Sequence, residues 1–411
     1  MAIIATARFD ELGTQKKKIK KSEKADHHEL ISPNDIIDYE ILPRLPAKSV
    51  CRFKSVSKQW KRSLSSHIFG KMHQFHHINN NIQKTYKLLL LDKPRVDCGE
   101  PLNDGSSGTV GFNLLEEADP RFDMVLASLD GLVCVASSKI VNSLALWNPL
   151  TRACYKLPPH PKKHFFPYHP RLDVIGFYSD SSNDYKLLYL VSETATSNEA
   201  YIYSQTLNSW RKIEFVIGNY GEPYFYYNWS QATLCDQSLY FSVRRFHLES
   251  LKNDHDCIIC FDGNTEDSRI IQFPPLPSGA TCPHSSLVVI DGCIHLCVAY
   301  YTTDYVMFKR GNMWKLINGD SWVEVAFFPG APVPFSLDIL SHDPPNVCIT
   351  RNAQDSWLAI LEGNNNSFKI MNMEEFTLTE HSLSSYSACS LITHSRIIYE
   401  ETLLSPNPPH P

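Results

Sequence analysis

No stretch of this 411-residue chain stays apolar long enough to cross a bilayer as a helix, which takes about 20 consecutive apolar residues. The most apolar long segment, SLVVIDGCIHLCVAYY at 286–301, is broken by Asp291-Gly292, a pair suited to the tight turn between two strands. The opening MAIIATARFDEL has too short an apolar stretch for a secretory signal and runs straight into charge, so no leader is predicted. Without export, the 12 cysteines are expected as reduced thiols, the sequons at Asn228 and Asn365 as unmodified, and the chain in the cytoplasm, the nucleus or both. Glycine is scarce, 17 residues against 26 prolines, and there is no Gly-rich phosphate loop, His-Glu-x-x-His zinc helix or Gly-x-Ser-x-Gly nucleophile elbow. A convergent triad leaves no such signature. The expected class is a binding protein rather than an enzyme, with no catalytic, metal or cofactor-binding residue assigned.

What is present points to β structure. Aromatics at 11% together with many prolines fit a β-rich globular protein, and 411 residues exceed what one core normally fills. Two domains or one large closed β-architecture are expected. Charge is divided unevenly: residues 1–80 hold 15 Lys+Arg and 8 Asp+Glu, a balance of +7, while the remainder holds 24 and 36, a balance of −12. An acidic partner for the N-terminal part follows. Residues 1–29, with Lys16, Lys17, Lys18, Lys20 and Lys21, lack apolar periodicity and predict a disordered basic tail; nucleic-acid contact through it is the less favoured reading.

Helix signals then gather. Ser32 is placed to cap, Pro33 to open the first turn and Asp35 to complete a capping-box-like pattern, with Ile36, Ile37, Ile41 and Leu42 as an apolar stripe. Pro43 and Pro46 end this helix. From Ala47, the three- and four-residue spacing of Val50, Phe53, Val56, Trp60 and Leu64 predicts one helical face or two abutting helices, with Lys48, Arg52, Lys54, Lys58, Lys61 and Arg62 on the other side. So short a segment cannot bury such side chains by itself.

Residues 72–84 read as a linker, and the histidines His73, His76 and His77 near its start as solvated. Beyond them five hairpin-like units recur, at 144–158, 200–214, 257–274, 313–329 and 357–373. The first four start 56 or 57 residues apart and the fifth 44 later, a period suited to propeller blades. Strand candidates between them complete four-stranded blades, and a sixth blade is expected from 86–91 and 109–115, closed by a C-terminal strand near 390–399. Cys257 and Cys260 fall on opposite faces of a strand, whereas Cys293, His295 and Cys297 share one; core packing is favoured over zinc for both sets. The aromatic loop PYFYYNWS at 223–230 leaves two readings open: Tyr224, Tyr226 and Trp229 contact a target, or they form an inserted core strand.

The segment SPNDIIDYEILPRLPAKSVCRFKSVSKQWKRSLSSHIFGKMH resembles the F-box, through Pro33, Ile36-Ile37, Glu40-Ile41-Leu42, Arg44-Leu45-Pro46, Lys48-Ser49-Val50, Arg52-Phe53-Lys54, Val56, Ser57-Lys58, Trp60 and Ile68-Phe69. The phrases SLDGLVCV, LWNPLTRACYKLP, GFYSDSSNDYKLLYL, IYSQTLNSWRKIEF and LVVIDGCIHLC resemble the F-box-associated domain of plant F-box proteins, a kelch-related type. The resemblance implies a mainly β chain with a small helical N-terminal domain: an F-box at 30–71 and a β-propeller-like interaction domain at 85–401, for which the hairpin count gives six blades, while 402–411 read as a Pro-rich tail. It implies a substrate receptor whose F-box binds a Skp-type adaptor, and through it cullin and RING subunits, while the β domain binds a target protein for ubiquitination. A non-degradative scaffold is the alternative. Adaptor contact is thereby assigned to Pro33, Ile36, Ile37, Ile41, Leu42, Leu45, Pro46, Val50, Phe53, Val56 and Trp60.

Overall fold

A computed structural model describes residues 36–79, 86–92, 95–99, 109–112, 122, 124–137, 143–161, 173–194, 197–215, 225–230, 232–247, 253–276, 280–302, 309–328, 348–351, 357–362, 367–372, 378–382 and 396–409. The basic tail, Pro33 and Tyr224 lie outside them. The chain divides into two compact units, Met1–Leu45 and Pro46–Pro411, a boundary that falls inside the expected F-box. No helix among the described residues is long and apolar enough to cross a membrane.

The second unit opens with helices α1 (Ala47–Phe53), α2 (Lys58–Leu64) and α3 (His67–Asn79). The expected linker at 72–84 is therefore helical as far as Asn79. Six antiparallel sheets follow among the described residues. The first joins β1 (Tyr86–Asp92), β2 (Arg95–Gly99) and β3 (Thr109–Phe112) to the C-terminal strand β25 (Arg396–Glu400), which pairs with β1 from Tyr86↔Glu400 to Leu90↔Arg396. Both ends of the β body thus share one sheet, as the closing strand predicted from sequence requires. The second sheet holds β4 (Met124–Leu129), β5 (Leu132–Ala136), β6 (Leu144–Trp147) and β7 (Cys154–Lys156). The third holds β8 (Asp173–Ser179), β9 (Tyr185–Thr194), β10 (Ser197–Ser204) and β11 (Ser209–Ile213). The fourth has five strands, β12 (Phe225–Trp229), β13 (Thr233–Cys235), β14 (Ser238–His247), β15 (Asn253–Asp262) and β16 (Ser268–Gln272), with both β12 and β13 on β14. The fifth runs β17 (Ala280–Ile290), β18 (Cys293–Thr302), β19 (Lys309–Ile317) and β20 (Ser321–Phe328); the sixth runs β21 (Cys348–Arg351), β22 (Trp357–Glu362), β23 (Ser367–Asn372) and β24 (Leu378–Ser382).

Two-residue turns set the register. Asp130-Gly131 joins β4 to β5 with φ of +49° and +78°, and Asp291-Gly292 joins β17 to β18 with +49° and +68°. Positive φ at both positions matches the right-handed twist of the flanking strands, and Asp-Gly supplies it at low cost.

The sheets stack face to face. Leu187 and Tyr189 of β9 join Leu132, Cys134 and Leu146 in a core between the second and third sheets. Their neighbours Leu188 and Leu190 point the other way, into a core with Leu239, Phe241, Ile259 and Phe261 of the fourth sheet. In β15, likewise, Ile258 and Cys260 face Leu287, Leu296 and Val298 of the fifth. A middle strand buried on both faces reads as a continuous apolar run, here LVCV and LALW, while the outer strand β11 has only exposed and partly buried positions. Adjacent sheets touch through their first strands, β25 to β4 and β4 to β8, then through β13 and β14 of the fourth sheet to β17, and from β17 to β21. This succession of stacked antiparallel sheets, four-stranded except for the fourth, is propeller-like, as expected.

Candidate adaptor interface

The first unit is described from Ile36. A wide five-residue turn spans Ile37–Ile41, closed by the Leu42 N–H donating to Ile37 O, and a tight turn spans Leu42–Arg44. Pro43 explains both: it has no N–H, and its ring crowds the carbonyl four residues back, so a regular α-ladder cannot pass through it. Leu45 is already extended, with ψ of 152°, as the residue before Pro46 must be. The sequence stripe splits here. Ile36, Tyr39 and Ile41 are exposed, whereas Leu42 and Pro43 are buried. Arg44 pairs with Glu40 at 2.9 Å, but both side chains are largely exposed and the pair contributes little to stability.

In the second unit, α1 starts directly after Pro46 and α2 is capped by Ser57, whose Oγ accepts from the Trp60 N–H at 3.0 Å. The chain leaves the helix at 54–57 and so rotates Val56 outward to 64% exposure. Val50 and Leu64 are fully buried. Phe53 and Trp60, both half-buried, meet edge to face with centroids 5.8 Å apart. The expected anchors thus separate into an interior set, Leu42 and Val50, which can only support an interface, and surface residues Ile36, Ile41, Pro46 and Val56 that can touch a partner. Ile37, Leu45, Phe53 and Trp60 are intermediate. Arg52, Lys58, Lys61 and Arg62 are exposed around α1 and α2. Burial pushes the Lys54 ammonium below its usual value and the neighbouring Cys51 thiol above its own.

The remaining described candidates lie in the β sheets and in α3. Trp229 lies at the end of β12 against Phe215 and edge-on to Phe241, partly buried beside the core between the third and fourth sheets. Tyr226 is in the same strand, opposite Phe246. Cys257 and Cys260 do lie on opposite faces, one packed toward the third sheet and one toward the fifth. His295 is buried with Nδ1 3.0 Å from Cys293 O, and burial lowers its pKa while raising that of the Cys297 thiol. Among the described residues no group of three or more His, Cys, Asp or Glu is placed to hold a metal ion. His73, expected to be solvated, is buried in α3 and stacks on His77 at 4.1 Å.

Residues 113–392 match the family model of the F-box associated beta propeller domain. The chain belongs to this family. F-box protein CPR1 of Arabidopsis thaliana is 26% identical to it over 399 residues, covering 89% of this chain and 88% of that one. The putative F-box/kelch-repeat protein At1g12870 of the same plant is 25% identical over 310 residues, covering 71% and 70%. Among solved structures, the β-propeller domain of the Trilobed protease from Pyrococcus furiosus is similar over 70% of this chain and 99% of its own, at 11% identity and a TM-score of 0.35. The propeller-like fold therefore rests on the stacked sheets and the family match. A plant-type F-box protein with an F-box associated propeller is what the sequence resemblance implied.

Proposed function

We propose that this protein is the substrate-receptor subunit of a Skp-cullin-F-box ubiquitin ligase: residues 36–64 dock on a Skp-type adaptor, which brings cullin and RING subunits, and the propeller holds a target protein. The observation that carries the reading is an F-box associated propeller preceded by helical segments that leave apolar side chains uncovered, Ile36 and Ile41 in one unit and Val56 in the other. Exposed lysines and arginines on α1 and α2 suit an acidic partner and would chiefly steer association. The chain itself performs no bond chemistry on this reading. It raises the local concentration of target lysines beside the charged ubiquitin carrier.

The test compares ubiquitinated proteins in cells carrying wild-type chain or an Ile41→Asp, Val56→Asp double variant. At least one target should lose ubiquitin in the variant. Identical profiles from cells expressing both forms equally would overturn the receptor reading and favour a scaffold.

A further inference from the structure

The turns at one end of the second and third sheets converge on the chain after β25. Thr402 Oγ1 donates to Asp130 O at 2.8 Å. Asn148 Nδ2 donates to Thr402 O at 3.0 Å and to Leu404 O at 2.8 Å. Gln205 Nε2 shares its hydrogens among the carbonyls of Ser405, Pro406 and Asn407 at 3.2, 3.0 and 3.2 Å. Asn148 and Gln205 occupy the same place in successive hairpins, the first residue after the third strand of the sheet, β6 in one and β10 in the next. Both are buried, at 0% and 2% exposure. A side-chain amide carries two donors, so this pair can grip an extended segment by its backbone. Leu404 meanwhile enters the core between the two sheets.

The same segment meets the helices. A Cβ on Gly70 of α3 would lie 2.8 Å from Leu403 O, so only glycine permits this approach. Glu401 pairs with Lys48 of α1 at 3.7 Å, and Lys71 of α3 donates to Asn183 O in the β8–β9 turn at 3.1 Å. The stretch expected as a Pro-rich tail is therefore packed between helices and sheets.

We propose that residues 401–409 are a clamp fixing α1 and α3 on the second and third sheets, with Asn148 and Gln205 as the positioning residues that hold it. Its functional consequence, which rests on the receptor reading, is that α1 and the propeller are presented at one fixed separation and angle, so that a captured target meets the ubiquitin carrier in a constant geometry.

Hydrogen exchange on the full-length chain tests this. Asn148→Asp with Gln205→Glu keeps side-chain size and keeps the Asn148 oxygen that accepts from the Leu150 and Thr151 amides at 3.0 and 3.1 Å, while removing the donors to the clamp. Amides of α3 should exchange at least about tenfold faster than in wild type, with β9 and β14 unchanged. Unchanged protection of α3, or loss only in step with β9 and β14, would overturn the clamp. Gln205→Glu alone, whose side chain bonds the clamp and nothing else among the described residues, carries the same expectation if the double variant does not fold. Capture of wild-type chain by a Skp-type adaptor is read separately. Its absence would strike the receptor reading while the exchange data still decide the clamp.

Discussion

Gly131 and Gly292 hold the same position in two Asp-Gly turns, yet differ in what surrounds them. A Cβ on Gly131 would lie 2.3 Å from Glu400 O, whereas one on Gly292 meets nothing within 4 Å. Gly292→Ala should therefore cost only the left-handed backbone, about 1–2 kcal/mol. Gly131→Ala should cost clearly more, because the closing strand must also move; paired denaturant unfolding curves check it, and equal losses would refute the contact. Asp180 offers a pH test. Partial burial alone would raise its carboxyl, but hydrogen bonds from Lys186, from Ser182 and from the Asp184 N–H overcome that and hold it below the ordinary aspartate value. On acidification the unfolded chain then binds a proton before the folded one does. Asp180 thus contributes stability above the ordinary aspartate pKa that is lost as pH falls through its depressed folded value. Asp180→Asn should flatten the acid limb of a stability-pH profile over that window.

Hairpins were the most legible elements, since an apolar run, a turn and a second run is a local pattern. All five units expected from sequence form paired strands. The fifth broke the period because it is out of phase: β22–β23 is the middle pair of its sheet, while the other four are the outer pair. The outer pair of the sixth sheet opens at Ser367, 58 residues after the outer pair of the fifth opens at Lys309 (309 to 367), close to the 56 between Asn253 and Lys309 (253 to 309). Helix α3 was missed because its inward face is Phe69, Gly70 and His73, a glycine and a histidine where an apolar stripe was sought. The clamp was missed for a different reason. Its partners lie about 200 or more residues away, from Gln205 to Pro406 and from Asn148 to Leu404, and no local pattern records that separation. Within the helical elements, spacing found the right residues but could not say which faced inward. Val50→Ala should lower stability by about 1–3 kcal/mol through the cavity it leaves, whereas Val56→Asp should leave thermal unfolding within experimental error. Equal effects from the two would contradict the division into interior and surface residues.

At the scale of the whole molecule, sequence placed the chain in its family because the phrases it carries are structural: DG turns and doubly buried runs recur where the sheets need them, and Asn148 follows β6 to hold a distant segment. The basic N-terminal part and the acidic remainder describe a molecule with two electrostatically distinct parts, +7 in residues 1–80 and −12 beyond, consistent with separate partners. The target surface is not legible in the sequence, because a binding face needs no periodicity, and the partly buried Trp229 packs beside Phe241. The central claim is that the surface residues of the helical segments bind a Skp-type adaptor. Co-purification of the full-length chain with purified adaptor tests it most directly. Retention of wild type, with at least about tenfold weaker retention of the Ile41→Asp, Val56→Asp variant at unchanged thermal stability, is the predicted result. No retention of wild type, or equal retention of both, would contradict it.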